Sequence, residues 1–287
     1  MTVALPLSKA MIARRPGKRR VSFVIGIVIL AAFIFMAFFP GLIAPYDPLA
    51  FDYQAIMQAP SKAHLFGTDN FGRDVLSRTI WATRIDMQIA IFSTIFPIIF
   101  GTFVGALTGY YGGWLDTIFG RAVDLLIAFP FLVIVIALIA MLGPVIGLGL
   151  KCMYIAVSVV GWVFYAQLMR ADIQVQKQSD YAAAARVLGY SEARIIFRHL
   201  LPNAITPIVV YWMTDMALDI LLGSSLGYLG LGAQPPTAEW GVIIADGKNF
   251  MSTAWWMSVF PGIAIVLAGV GFSLVGDGLA DILRRRR

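Results

Sequence analysis

Two carboxylates inside an apolar run are the residues of this sequence that most directly suggest chemistry. Asp215 and Asp219 lie four positions apart within the stretch 205–226, so on a helix they share one face. Charged groups at membrane depth are costly and usually face a cavity or a partner. We expect the pair to face a solute pathway and to favour a cationic group of the substrate. The structural alternative is that they hydrogen-bond to a neighbouring helix or to a partner subunit.

The remaining reactive residues do not form a catalytic or metal-binding pattern. His64 and His199 are far apart, and Cys152 is the single cysteine, so the sequence predicts no metal site, no internal disulfide and no bound cofactor. It also lacks a phosphate-binding loop, a Gly-x-Ser-x-Gly elbow and a His-Glu-x-x-His motif. A membrane aspartyl dyad is disfavoured because Asp215 and Asp219 lie on one helix instead of converging from two elements. We predict that the chain has no catalytic residues and does not hydrolyse ATP itself.

Composition indicates which elements must position these residues. The 287 residues are 59% hydrophobic and only 13% charged, whereas soluble domains are about half apolar and about a quarter charged. Apolar runs of roughly 20 residues are long enough to cross a bilayer. The sequence therefore predicts an all-α membrane protein with six transmembrane helices. The expected spans are residues 21–39, 88–110, 123–142, 153–169, 205–226 and 258–280.

The distribution of positive charge predicts the orientation of these spans. The net charge is +6, and its basic residues flank apolar spans, which explains them without invoking nucleic acid. The arm 1–20, the segment after the fourth span and the tail 284–287 are rich in Lys and Arg. The positive-inside rule therefore places both termini in the cytoplasm. Span parity then places the long segment 40–87 outside. The expected core is 88–283.

Residues 180–202, called here the elbow segment, combine helix-forming and helix-ending signals. Ser179 or Asp180 can cap a short helix, the four alanines that follow Tyr181 favour helix, and Gly189 can end it in the left-handed conformation. Ser191 can cap a second helix that runs to Pro202. The segment is then either an element that docks a soluble motor protein through its small-residue face or an ordinary connecting loop.

Small residues and charged residues elsewhere predict packing contacts. Gly101, Gly105, Gly109 and Gly113 recur every fourth residue, which lets another backbone approach closely, either within this subunit or in a second subunit. Arg121 and Asp124 are expected to form an i,i+3 ion pair.

The elbow segment resembles the EAA motif of binding-protein-dependent ABC importers, in which this element is the coupling helix. Ala184, Ala185, Gly189, Leu201 and Pro202 match that motif, and Ala183 replaces its Glu. The resemblance implies that the segment contacts an ATPase. The residues expected to make or shape this contact are Asp180, Ala183, Ala184, Ala185, Arg186, Gly189, Arg194, Arg198 and Pro202.

Nearly the whole chain is similar to the C-type permease of the dipeptide, oligopeptide and nickel importers. The matching motifs lie at 64–78, 109–114, 121–130, 162–170 and 229–241, with departures at Gln167, Gly223 and Ala238. Segment 64–78 is expected to be an extracytoplasmic cap whose Arg73 and Asp74 are solvated or paired. Pro235 and Pro236 either stiffen a turn or help to close the outer mouth of the pathway.

The resemblance implies a permease subunit of an ATP-driven importer in the bacterial inner membrane. Its partners would be a homologous second permease, two cytoplasmic ATPases that bind ATP and Mg, an extracytoplasmic solute-binding protein and the lipid bilayer. The chain would form half of the pathway for peptides, nickel or other small solutes. The alternative is a self-sufficient secondary transporter or channel that uses Asp215 and Asp219 as an ion site.

Overall fold

In the computed structural model of the chain, the described backbone runs from residue 16 to residue 284 and the described side chains from 21 to 283. Most of the basic arm 1–20 and of the tail 284–287 therefore lies outside the described residues. The α-helices of the described part are α1 (Pro16–Phe38), α2 (Pro40–Ile43), α3 (Val75–Tyr111), α4 (Gly113–Ile127), α5 (Phe131–Ile146), α6 (Leu150–Gln176), α7 (Asp180–Val187), α8 (Glu192–Arg194), α9 (Leu201–Tyr228), α10 (Trp240–Gly247) and α11 (Trp256–Arg284). A π-helical stretch, Ile195–Leu200, joins α8 to α9, and a 3-10 turn, Lys248–Phe250, follows α10.

The predicted all-α membrane fold is confirmed. Within the described range, five helices are long and apolar enough to cross a membrane, and α4 with α5 supplies a sixth if the pair is counted as one span. These two helices meet at 88°, so the expected straight span 123–142 is wrong in detail. Pro130 causes the interruption, because it lacks a backbone N–H and disfavours helical conformation in the residue before it.

Helix α3 is the central element and is longer than the sequence predicts. Its 37 residues extend about 55 Å at 1.5 Å per residue, well beyond the ~30 Å of a hydrocarbon core. It begins at Val75 instead of near residue 88, because the Asp74 carboxylate caps it by accepting a hydrogen bond of 2.7 Å from the Ser77 N–H. Polar residues of its first turns hide this extension from a hydropathy pattern.

The glycine repeat packs α3 against α6 within the subunit. A Cβ atom on Gly101, Gly105 or Gly109 would lie 2.3, 2.3 or 2.7 Å from a carbonyl oxygen of α6. These glycines therefore allow the two backbones to touch, which confirms the intramolecular alternative. Gly113 does not belong to this stripe. It begins α4 with a φ of 61°, and a Cβ atom added there would have no described atom within 4 Å.

A buried ion network holds the segment before α3 to α10. Asp69 accepts hydrogen bonds of 2.6 Å from both Arg73 Nε and Arg78 Nη1. Asp246 of α10 accepts from the same two guanidinium groups, at 3.1 and 3.0 Å. These four residues are called the Arg78 network. Arg73 is thus paired, one of the two states expected for it.

The predicted Arg121–Asp124 ion pair does not form. Instead, Asp116 at the start of α4 accepts two hydrogen bonds from the Arg170 guanidinium of α6, one of them 2.7 Å long. The pairing follows the tertiary contact between α4 and α6 instead of the i,i+3 spacing on one helix.

Candidate functional site

The first half of the elbow segment folds as the sequence predicts. Helix α7 ends at Val187, and Gly189, the residue after the C-cap Leu188, has a φ of 74° in the left-handed region. The Gly189 N–H donates to the Arg186 carbonyl at 2.9 Å, and the Tyr190 N–H donates to the Ala185 carbonyl at 3.2 Å. These two bonds form a complete Schellman motif, which fixes the direction in which the chain leaves the helix.

The prediction that the Ser179 or Ser191 side chain caps a helix is wrong. Ser179 is the N-cap residue of α7, but its hydroxyl donates to the Gln176 carbonyl at 2.6 Å and caps no N–H of α7. Ser191 precedes α8 and also makes no side-chain cap. Residues 192–228 instead form one continuous helical rod, in which α8, the π-helical stretch and α9 follow without a break. The elbow is therefore fused directly to the fifth span, and Pro202 lies in the first turn of α9.

The alanine run divides between two faces of α7. Ala182 and Ala185 are buried in a cluster with Ile195, Ile196 and Leu200. Ala183 and Ala184 face outward. The same outer surface carries Val187 and Leu188, whose exposed fractions are 88% and 68%. Two such apolar side chains beside small alanines make a surface suited to a protein partner.

The basic residues of the elbow segment differ in their surroundings. The Arg186 guanidinium donates to the Lys177 carbonyl at the end of α6, so it closes the elbow onto that helix. Arg194 stacks over the Tyr190 ring with its Cζ atom 4.1 Å from the ring centroid. Arg198 is exposed. Asp180 and Pro202 are exposed as well.

The elbow segment is also tied to α3. The Lys177 ammonium donates to the Tyr110 carbonyl and lies 5.2 Å from the centroid of the Tyr110 ring. Lys177 directly precedes the elbow segment, and the Phe197 ring of the segment itself stacks on the Phe103 ring of α3, with centroids 5.9 Å apart. The elbow therefore contacts the helix whose other end begins beside the Arg78 network. One helix thus connects the two ends of the bundle.

The predicted carboxylate pair lines a cavity of about 400 Å³ between α3, α5, α6 and α9, called here the carboxylate cavity. The Tyr165 hydroxyl of α6 donates a 2.6 Å hydrogen bond to Asp215. The Tyr211 ring packs edge-on against the Tyr165 ring, with centroids 5.0 Å apart. Asp215 and Asp219 are therefore brought together at one cavity, as their spacing predicts.

Several polar residues of these sites were missed by the sequence reasoning. Ser93 lines the carboxylate cavity from α3, and Tyr211 from α9. A hydroxyl group inside an otherwise apolar span was the signal that could have found both residues. The sequence did not predict that Val187 and Leu188 form an exposed surface, because apolar residues before a helix-ending glycine can be either buried or exposed.

A second cavity lies at the opposite end of the bundle. Its volume is about 830 Å³, and its walls come from residues 41–49, from α3 and from residues 236–238. Asp47 and Arg84 are its charged lining residues. The loop that carries Pro235 and Pro236 thus borders an open cavity at this end.

The fold and these sites define a multi-pass membrane protein that has an elbow with an exposed apolar face at one end and a cavity lined by two carboxylates among its spans. The chain matches the family model for the binding-protein-dependent transport system inner membrane component over residues 101–287. It also matches the model for the N-terminal transmembrane domain of oligopeptide transport permease C over residues 12–60. The chain therefore belongs to the family of binding-protein-dependent inner membrane permeases.

Individual relatives agree with this assignment. The chain is 37% identical to the dipeptide transport system permease protein DppC of Alkalihalophilus pseudofirmus, over 91% of this chain and 84% of the relative. It is 38% identical to the glutathione transport system permease protein GsiD of Pectobacterium atrosepticum, over 94% of this chain and 88% of the relative. The inward-facing MetNI methionine ABC transporter contains a chain of the same fold, with a TM-score of 0.58, 18% identity and coverage of 74% of this chain and 96% of that one.

Proposed function

We propose that this inner membrane permease forms one half of the pathway through which an ATP-driven importer moves peptides or related small solutes. The relatives that support this proposal are named as dipeptide and glutathione transport permeases. In this proposal, a homologous second permease supplies the other half of the pathway. The alternative of a self-sufficient secondary transporter is not favoured, because the relatives are subunits of transport systems.

The observation that carries the proposal is the elbow segment itself. Its buried face, Ala182 and Ala185, packs on the bundle, and its outer face exposes Val187 and Leu188. Ala182 and Ala185 pack on Ile195 and Leu200, which lie on the continuous helical stretch 192–228 that contains the fifth span. A force applied to the elbow is therefore transmitted to a span that lines the carboxylate cavity.

In this proposal two ATPases bind the elbow from the cytoplasm, and ATP and Mg are bound by those partners and not by this chain. Both termini are then cytoplasmic, and the end that bears the 830 Å³ cavity faces the solute-binding protein. ATP binding to the motor subunits shifts the equilibrium between inward-open and outward-open states.

Co-purification tests the docking role. We expect Val187→Ser combined with Leu188→Ser to reduce the recovery of the ATPases at least about tenfold, because two exposed anchors are removed from a small interface. The matched control is Leu42→Ser, which removes a similarly exposed apolar side chain at the opposite end. Recovery unchanged in the double variant would show that the motor binds elsewhere.

A further inference from the structure

We infer that the carboxylate cavity binds a primary ammonium group that is attached to an apolar group, such as the free amino terminus of a peptide with an apolar first side chain. This inference rests on the proposed function, because it assumes that a transported solute reaches the cavity. Two carboxylates, one of which has no partner, together with an unpartnered hydroxyl group and an apolar wall, carry it.

Asp219 is an acceptor without a partner in the described part of the chain. Its exposed fraction is 5%, and it lines the cavity. Within the described residues, neither a hydrogen bond nor an ion pair to its carboxylate is found. Burial of a charged group is costly unless the group is paired. Asp215, one helical turn away, already accepts the Tyr165 hydroxyl, so Asp219 supplies the acceptor oxygens that a ligand would satisfy.

Ser93 supplies a second unsatisfied polar group on another helix. It is 1% exposed, and its Oγ has no hydrogen-bond partner among the residues that the structure describes. It belongs to α3, whereas Asp219 belongs to α9, and both line the same cavity. A primary ammonium group has three N–H donors. Two of these donors would be satisfied by the carboxylate oxygens of Asp219 and one by the Ser93 hydroxyl, while Asp215, which already accepts from Tyr165, lines the same cavity.

The walls of the cavity define the rest of the ligand. Phe131, Phe164 and Leu222 surround the polar groups. The volume of about 400 Å³ lies within the range of small-molecule sites. A cation that carries an apolar group would fill this space, whereas a strongly hydrated inorganic ion would leave the walls uncovered.

The charge of the site is not balanced by the chain itself. In the part of the chain that the structure describes, no Lys, Arg or His contributes to the electrostatic environment of Asp215 or Asp219. The negative charge of the pair is therefore balanced either by a proton held on one carboxylate or by a cation from outside the subunit. An ammonium group that enters the cavity meets no competing basic side chain of the described residues. A basic side chain of a partner permease is the competing source, and the experiment below separates it from a solute.

The test measures equilibrium binding to the complete transporter, with its partner subunits, in lipid nanodiscs. The probes are leucyl-leucinamide, which carries one ammonium group, and N-acetyl-leucyl-leucinamide, which is neutral and otherwise matched. We expect the wild type to bind the ammonium probe at least about tenfold more tightly, since a charge-assisted hydrogen bond is involved. Asp219→Asn should abolish this preference, and Ser93→Ala should reduce it. Asp124→Asn is the control, because it removes an exposed carboxylate of α4 outside the cavity.

Other binding results would overturn the inference or assign the cavity to a different cation. Equal affinities of the wild type for the two probes, or a preference that survives Asp219→Asn, would overturn the inference. Loss of the second permease from the Asp219→Asn preparation, with no ammonium preference in the wild type, would assign the cavity to a partner's basic residue instead. If Asp219→Asn fails to fold, Ser93→Ala decides through the same ratio. Absence of ATPases from the wild-type preparation would contradict the proposed function, and this outcome is distinguishable from a failure of the ammonium preference.

Discussion

Arg78 and Asp69 form an ion pair that is almost completely inaccessible to water. Arg78 Nη1 lies 2.6 Å from Asp69 Oδ2, and the two side chains are 1% and 0% exposed. Arg78 belongs to the first turns of α3, and Asp69 belongs to the segment before that helix. The pair therefore fixes how the longest helix of the bundle enters the fold.

We predict that Arg78→Gln destabilises the protein strongly. Removing one partner of a buried pair leaves an uncompensated charge, which typically costs about 3–5 kcal/mol. Thermal unfolding in detergent should show a large decrease in Tm. Arg84→Gln is the control, because Arg84 lies six residues further along α3 and is exposed. A similar Tm for the two variants would mean that the Arg78 network does not hold the fold.

Close packing of α3 on α6 predicts a contrast between two glycine substitutions. Gly105→Ala places a Cβ atom 2.3 Å from the Ala166 carbonyl oxygen, so the helices must separate, at a cost of about 1–3 kcal/mol. Gly269→Ala in α11 meets no described atom within 4 Å and should be neutral or stabilising by about 0.5–1 kcal/mol. Unfolding midpoints of the two variants measure the difference. An equal effect at both positions would contradict the packing described.

The buried carboxyl group of Glu239 is expected to make the stability of the protein depend on pH. Burial raises the pKa of the Glu239 carboxyl above its ordinary value of 4.5, although the Gly241 and Val242 N–H groups act in the opposite direction by donating to it. Above pH 4.5 the unfolded chain loses this proton while the folded chain still holds it. Stability contributed by Glu239 should therefore fall as the pH rises from 4.5 toward the raised pKa.

The measurement is the unfolding midpoint of the wild type and of Glu239→Gln across this pH range. The Gln variant keeps one acceptor oxygen for the cap of α10 but has no proton to lose. Its midpoint should therefore fall less with rising pH than that of the wild type. Parallel profiles would exclude Glu239 as the source of the slope.

The sequence predicts most of the architecture because lipid-facing helices have a strong apolar signal. Six spans, the left-handed Gly189 and the shared face of Asp215 and Asp219 all depend on local periodicity or on one residue's conformational preference. The bend between α4 and α5 was harder to predict from the sequence. The continuous apolar run indicated one straight span, whereas Pro130 interrupts the helix.

Tertiary pairing was the part that local patterns could not supply. Arg170 pairs with Asp116, and Arg78 with Asp246, over sequence separations that no helical spacing encodes. The Tyr165–Asp215 hydrogen bond also joins two separate spans. Ser93 becomes notable only when α3 and α9 are placed around one cavity.

Site-specific crosslinking at the elbow segment in native membranes tests the docking role most directly. Ala184→Cys presents a thiol on the exposed face of α7, Ala182→Cys presents one on the buried face, and the native Cys152 is buried. We predict that a bifunctional thiol reagent captures an ATPase subunit from position 184 and not from position 182. Failure to capture any ATPase from position 184, with the complete transporter present, would contradict the assignment of the elbow as the motor-docking element.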